Sequence, residues 1–305
     1  VAGHFTVLDD KAAAALISEA RRSLLTETQA GHDAELAAAF HDVLTLADET
    51  GLDRLLSDIV ANRSALQRFF DGARREGVER ALKRGLNIPV SADALSIASR
   101  AWPLPGLSDS RLQDYVALAN GKGGANAQKR SYGLGMARSE ADPARRLELL
   151  RAALLKADEQ PYSDSYLFNA AMGKIDPDLC DAVVRASAFV SEVWQDFKVY
   201  RMYEATRSAL VLARHFLLAY EALKKERSFL DFEDFITRTD ALLRKSEIGP
   251  WVHYKLDQGI DHLLLDEAQD TSPTQWSIIM SLTEEFFAGR GAATKVRTLF
   301  AVGDE

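Results

Sequence analysis

Leu263-Leu264-Leu265 is followed without a spacer by Asp266-Glu267, and this junction constrains the fold more than any other stretch of the chain. A short apolar run closed so abruptly predicts a strand buried on both faces of a parallel sheet. Carboxylates that follow such a strand stand at its carboxyl edge, where open α/β sheets bind their ligands. Ile260-Asp261-His262 leads into the run, and Ala268-Gln269-Asp270-Thr271 prolongs the polar segment. A strand running into a solvated acidic turn fits the same residues.

The downstream sequence favours a site. Ser272-Pro273 opens a helix over Thr274–Phe287 by cap-then-proline logic, Gly289-Arg290-Gly291 forms a loop, and Arg297–Val302 is a second buried strand ending at Gly303-Asp304. Strand, helix, strand is a βαβ unit, and a right-handed crossover would bring Asp266 and Asp304 to one sheet edge. This is the layout of a Walker B element. Asp266 would hold Mg²⁺, usually through water, and Glu267 would orient or deprotonate the water attacking the γ-phosphate of ATP. Gln269 can hydrogen-bond that water or a neighbouring aspartate, which makes it a candidate γ-phosphate sensor. Gly303 lets the backbone bend close to a phosphate or to Gln269. Asp270, Gly303 and Asp304 complete the nucleotide-side candidates.

A hydrophobic content of 47% and a charged content of 27% over 305 residues suffice for a sizeable core and two subdomains. There is no apolar run long enough for a transmembrane helix and no signal-peptide pattern at Val1–Phe5. The single Cys180, among apolar neighbours at helical spacing, predicts a buried structural thiol and a reducing cytoplasm. The net charge of −8 excludes a surface that coats nucleic acid as a whole, yet the charge is uneven. Residues 257–287 hold seven carboxylates and no Lys or Arg, whereas 122–156 hold eight Lys/Arg against three Asp/Glu. That basic stretch is either a solvated helix face or a phosphate-contacting surface.

The remaining pattern is mostly helical. Phe5–Leu8 reads as a strand capped by Asp9-Asp10 into a helix over Lys11–Glu27, with Gly31 as its stop. Ala34–Asp48, closed near Gly51, and Leu52–Asp71 follow as helices. Short helices are expected over Ala92–Arg100 and Ser110–Ala119, a longer one from Pro143 to Glu159, and another opening at Pro177. From Asp178 to Glu247 there is no Gly or Pro, so Asp178–Lys225 could be one helix of roughly 70 Å, with a possible break near Tyr200. Leu230–Ile236 starts a helix to Arg244, with acidic residues at its positive end, and Trp251–Leu256 is a short one released by Gly259. Gly121-Lys122-Gly123-Gly124 fails as a phosphate loop, because Gly follows the Lys and no strand precedes it; it reads as a flexible loop.

The stretch Leu263–Thr271 closely resembles motif II of the UvrD/Rep/RecB-type superfamily 1 helicases. Leu299–Asp304 resembles the start of their motif III, and Leu230–Phe235 their Leu-Asp-Phe-Asp-Asp segment. Trp251–Asp261, Thr274-Gln275-Trp276 and Glu284–Phe287 look most like the AddA type of helicase–nuclease subunit. The resemblance implies a mainly α chain with a small α/β part. Residues 1–29 would form a lead-in strand and helix, 30–228 a helical insertion like subdomain 1B, and 229–305 part of a P-loop NTPase motor sheet. It implies ATP and Mg²⁺ as cofactors, Asp266 as the metal ligand and Glu267 as the catalytic carboxylate. Gln269 and Asp304 would couple nucleotide state to single-stranded DNA, and an AddB-like nuclease subunit would be the partner. The helical block would touch single-stranded or duplex DNA through basic residues such as Lys129, Arg130, Arg145 or Arg146, chosen by charge.

No Walker A loop occurs in the 305 residues. The simplest account is a piece of a longer polypeptide, in which case these residues alone neither bind ATP tightly nor hydrolyse it, and a sheet of at most three strands leaves one edge exposed. A non-catalytic DNA- or partner-binding helical module is the alternative.

Overall fold

A computed structural model describes residues 5–244, 251, 260–288 and 297–304. The chain divides into two compact units. One comprises Val1–Ala37, Ala47–Phe69 and Leu212–Glu305, and carries the strands; the other comprises Ala38–Leu46 and Phe70–Val211, and is helical. Of the residues expected in the 30–228 insertion, 30–37, 47–69 and 212–228 group with the strands.

In the strand-bearing unit, β1 (Thr6–Val7) pairs parallel with β2 (Phe229–Leu230). Asp9 caps α1 (Asp10–Ala30) by accepting the Ala12 amide at 2.7 Å, and Gly31 ends it in a left-handed conformation with φ 67°. Leu16, Ala20 and Leu24 bury one face of this helix. Then comes α2 (Ala34–Leu46), which belongs to the helical unit from Ala38 and whose closing point is not Gly51. Asp48 instead caps a new helix, α3 (Glu49–Ala61), and Gly51 supplies the capped amide. The single helix expected over Leu52–Asp71 is two, for Asn62 leaves helical geometry and turns its amide onto the Asp58 carbonyl before α4 (Arg63–Ala73) begins.

The helical unit contains α5 (Val78–Gly85), α6 (Ala94–Ser99), α7 (Asp109–Lys122), α8 (Ala125–Ser139), α9 (Pro143–Leu154), α10 (Asp164–Leu167) and α11 (Ala170–Ile175). The glycine cluster is a tight joint, not a flexible loop. Gly121 and Lys122 finish α7, and Gly124 is the N-cap of α8, a helix that glycine content hid from pattern reading. At Gly133 a Cβ would lie 2.9 Å from the Ala153 side chain, so this glycine sets the close packing of α8 on α9. Helix α9 stops at Leu154, short of Glu159, where Leu155 bridges to Pro161. Tyr115 lies in the core with its hydroxyl donating to the Leu167 carbonyl at 2.6 Å, and burial pushes its pKa up. Cys180 is buried and unpaired by any disulfide.

Helix α12 (Pro177–Glu226) runs 50 residues without a break at Tyr200. Its C-terminal part, from Leu212, belongs to the strand-bearing unit. There Leu230 lies in β2, and the next helix, α13 (Phe232–Leu243), starts two residues later with Asp231 as its cap. Of the Trp251–Leu256 helix only Trp251 is described, and Gly259 and the Gly289–Gly291 loop lie outside the described residues. The same unit ends with β3 (His262–Leu265), α14 (Pro273–Ala288) and β4 (Thr298–Ala301). Strands β3 and β4 pair in parallel, Leu263 opposite Leu299 and Leu265 opposite Ala301. Among the described residues the strands form two separate two-stranded sheets.

Strand β3 is not buried on both faces. Leu263, Leu265 and Leu299 are half-buried, while Leu264 and Phe300, on the opposite face, are 71% and 60% exposed. Side chains alternate along a strand, and no described element covers the second face. Among the described residues no helix is long and apolar enough to cross a membrane.

Candidate functional site

The acidic residues gather where β3 ends. Leu265 accepts the Val302 amide at 2.9 Å, and Val302 accepts the Ala268 amide at 2.8 Å, so pairing with the neighbouring strand continues past β3 and folds the chain back onto it. A 3-10 turn over Ala268–Asp270 follows, closed by the Asp270 amide on the Glu267 carbonyl at 2.9 Å. Ser272 and Gln275 then cap α14 reciprocally, Ser272 N to Gln275 Oε1 at 2.7 Å and Gln275 N to Ser272 Oγ at 3.3 Å.

This route forces Glu267 into the left-handed region, φ 51° and ψ 48°. For a residue with a Cβ that conformation costs roughly 1–2 kcal/mol, and such strain persists only where the surroundings over-determine it. Here the Ala268 and Asp270 hydrogen bonds do so. The Asp266 and Glu267 carboxylates are both exposed. Asp266 Oδ1 accepts the Glu267 amide at 3.1 Å, which orients the carboxylate along the chain end.

Gln269 joins the two strand ends. Its Nε2 donates to Glu267 Oε2, and its Oε1 accepts the Asp304 amide at 3.1 Å. The neighbouring Gly303 leaves room for this: a Cβ there would lie 2.5 Å from Gln269 Oε1 and 3.1 Å from its backbone nitrogen. The close approach to Gln269 expected of Gly303 is therefore present. Asp266, Glu267, Gln269, Asp270, Gly303 and Asp304 come together at one exposed edge of the β3–β4 pair.

A Mg²⁺ ion fits this donor set in one way. Among the described residues no group of three or more His, Cys, Asp or Glu could enclose a metal. Mg²⁺ bound to substrate phosphates needs only one or two carboxylates, with water and phosphate oxygens completing its octahedron. A single exposed aspartate at a strand end meets that requirement.

The basic candidates separate. Lys129 is exposed on α8 and Arg145 on α9, where Arg145 pairs with Glu140 at 3.3 Å. Arg130 is not available to a phosphate. It is 7% exposed, its guanidinium lies 3.9 Å from the Tyr162 ring centre, and Nη1 donates to the Ala152 carbonyl at 3.2 Å. Arg146 is half-buried, donates through Nε to the Glu140 carbonyl at 2.9 Å and lies over Trp102 at 5.5 Å. Both basic side chains hold the helical unit together. Charge alone marked them as surface, whereas the aromatic partners at 102 and 162 were the signal of packing.

Pattern reading also missed a cleft of about 940 Å³ in the helical unit, lined by Lys83, Tyr200, Tyr203 and Glu204 among others. Lys83 donates to the Val90 and Ala92 carbonyls, each at 2.8 Å, and lies over both tyrosine rings. None of these residues belongs to the acidic edge.

Residues 137–305, more than half of the chain, match the family model of the UvrD/REP helicase N-terminal domain. The chain is also 35% identical over 96 residues to the RecBCD enzyme subunit RecB of Mycolicibacterium smegmatis. That stretch is 31% of this chain and 8% of the relative, so the chain spans only a small part of that protein's length.

Proposed function

Because the chain belongs to the UvrD/REP helicase N-terminal domain family, we propose that its exposed acidic edge is the metal- and water-handling pole of an ATP-driven DNA motor. The observation that carries this is the Gln269 side chain, which ties the Glu267 carboxylate to the Asp304 amide on the neighbouring strand end. Asp266 holds Mg²⁺ and Glu267 orients or deprotonates the attacking water. Bound Mg²⁺ supplies neutralisation of the charge that develops on the γ-phosphoryl oxygens. Gln269 senses the nucleotide. Loss of the γ-phosphate changes what Glu267 faces, and the same amide group carries that change to Asp304. Asp270 and Gly303 shape the nucleotide side of the turn.

The 305 residues contain no Gly-Lys-Ser/Thr phosphate loop, so the phosphate-gripping lysine and amides come from outside them in this reading. Alone, the chain neither binds ATP tightly nor hydrolyses it. The helical unit plays the part of a 1B-like subdomain that touches single-stranded or duplex DNA, with Lys129 and Arg145 the exposed candidates. The finer placement is with AddA-type helicase–nuclease subunits, acting in the cytoplasm in double-strand break repair and recombination beside an AddB-like nuclease subunit.

The test is coupling. In a polypeptide joining these residues to a phosphate loop, Gln269→Ala lowers DNA-stimulated hydrolysis while leaving the DNA-independent rate nearly intact. An equal fall in both rates would contradict the sensor role.

A further inference from the structure

Two hydrogen-bonded routes lead from one buried ion cluster to the first turns of α14, and both end beside the acidic turn. The cluster centres on Lys224, near the end of α12, whose side chain is 3% exposed. Its Nζ reaches Glu221 at 2.8 Å, Asp231 at 3.2 Å and Asp234 at 2.9 Å. Arg63, the first residue of α4, pairs with the other oxygen of Asp231 and lies 3.8 Å from Glu221. Burial pushes the Asp231 carboxyl up, but Arg63, the Asp234 amide and Lys224 together outweigh it and hold the group below the ordinary carboxylate range.

The first route is α4. Ser64 donates to Glu233 of α13, and one turn later Arg68 Nη1 donates to Thr274 Oγ1, in the first turn of α14, at 2.9 Å. The second route is α13. Asp231 and Asp234 form the reciprocal capping box that starts it. Towards its other end Asp240 accepts Ser277 Oγ at 2.6 Å and Arg244 Nε at 3.0 Å. Thr274 and Ser277, three residues apart, share one face of α14. Gln275 between them is tied back to Ser272, directly after the turn.

We propose that Lys224 and Arg63 are positioning residues for the Glu267–Gln269–Asp304 arrangement. They fix α4 and α13, which grip α14 at Thr274 and Ser277 and so keep the acidic turn in register with β4. This takes the turn to be the acidic pole described under the proposed function. The test reads backbone protection and not hydrolysis, so either claim can fail without the other.

The experiment is amide hydrogen exchange on the 305-residue chain carrying Arg68→Ala, Lys224→Met or Lys224→Arg. Arg68→Ala and Lys224→Met each speed exchange at Ala268, Val302 and Asp304 by about tenfold or more. Lys224→Arg retains most of the protection, and Leu134 and Leu150 in the helical unit are unchanged throughout. Unaltered exchange at the three amides would overturn the proposal, and so would an equal rise across α1, α3 and both sheets. Should Lys224→Met fail to fold, Arg68→Ala decides, because that side chain is exposed.

Discussion

The Gln269 carbonyl oxygen accepts the Asp304 backbone amide at 3.1 Å while the nitrogen of the same side chain donates to the Glu267 carboxylate. A carboxamide has one donor end and one acceptor end, so a single residue serves two groups that differ in what they need. Glutamate, ionised at neutral pH, would accept at Asp304 but repel Glu267. Gln269→Glu should therefore detach Glu267 while sparing the Asp304 contact, and Gln269→Ala should lose both. Protection of the Asp304 amide from exchange distinguishes them: retained in the first, lost in the second.

Gly303→Ala should destabilise the strand-bearing unit by about 1–3 kcal/mol, the usual cost of forcing an extra methyl into an occupied space. Its Cβ would sit 2.5 Å from Gln269 Oε1, with the Gln269 backbone at 3.1 Å behind it. Gly135→Ala is the contrast. It lies in α8 with nothing within 4 Å of the added carbon, and should stabilise the chain by roughly 0.5–1 kcal/mol. Denaturant melts of the two variants check both signs.

Arg130 and Lys129 are sequence neighbours with opposite expected phenotypes. Arg130→Ala removes a guanidinium–ring contact and a hydrogen bond to the Ala152 carbonyl. It should cost about 2–3 kcal/mol of stability without changing the salt dependence of DNA binding. Lys129→Ala should leave stability within about 0.5 kcal/mol. If α8 meets DNA, it should lower the slope of log affinity against log salt by roughly one. Fluorescence anisotropy with labelled DNA at several salt concentrations measures this.

Asp231 and Glu204 should contribute to stability with opposite pH dependence. The folded Asp231 carboxyl lies below its ordinary value, so its contribution is present above that value and is lost as pH falls through the folded one. Burial, opposed by Arg201 and Arg207, raises Glu204. Its ionisation thus opposes folding as pH rises above the ordinary glutamate range. Glu204→Gln should stabilise the helical unit at neutral pH and make no difference in acid, below that range. Exchange of amides from each unit, followed across pH, separates the two effects.

Much of the acidic edge was legible in the sequence, because its signal is local: an apolar run, a carboxylate pair, then a second run ending in Gly-Asp. The cap residues Asp9 and Ser272 were equally readable, since a cap acts within three residues. What could not be read was long-range. Arg130 is distinguished from Lys129 by the Ala152 carbonyl and the Tyr162 ring, 22 and 32 positions away. Helix α8 went unseen because Gly133 and Gly135 argue against a helix locally, and only the approach of Ala153 explains Gly133. The exposure of Leu264 is of the same kind, since what covers a strand face is set by the rest of the sheet.

Leu264, Phe300 and Val302 form an apolar surface on the β3–β4 pair. The isolated chain should self-associate through it, and Leu264→Lys with Phe300→Lys should shift sedimentation towards monomer over a concentration series. An unchanged distribution would place the contact elsewhere.

The central claim is that Glu267 acts on the water that attacks ATP. Its most direct test is steady-state hydrolysis by a polypeptide that joins these residues to a Gly-Lys-Thr loop, with and without Glu267→Gln. The substitution should lower kcat by about a hundredfold or more, the usual contribution of a general base, with nucleotide affinity retained. Turnover within a few-fold of the unmodified protein would contradict it.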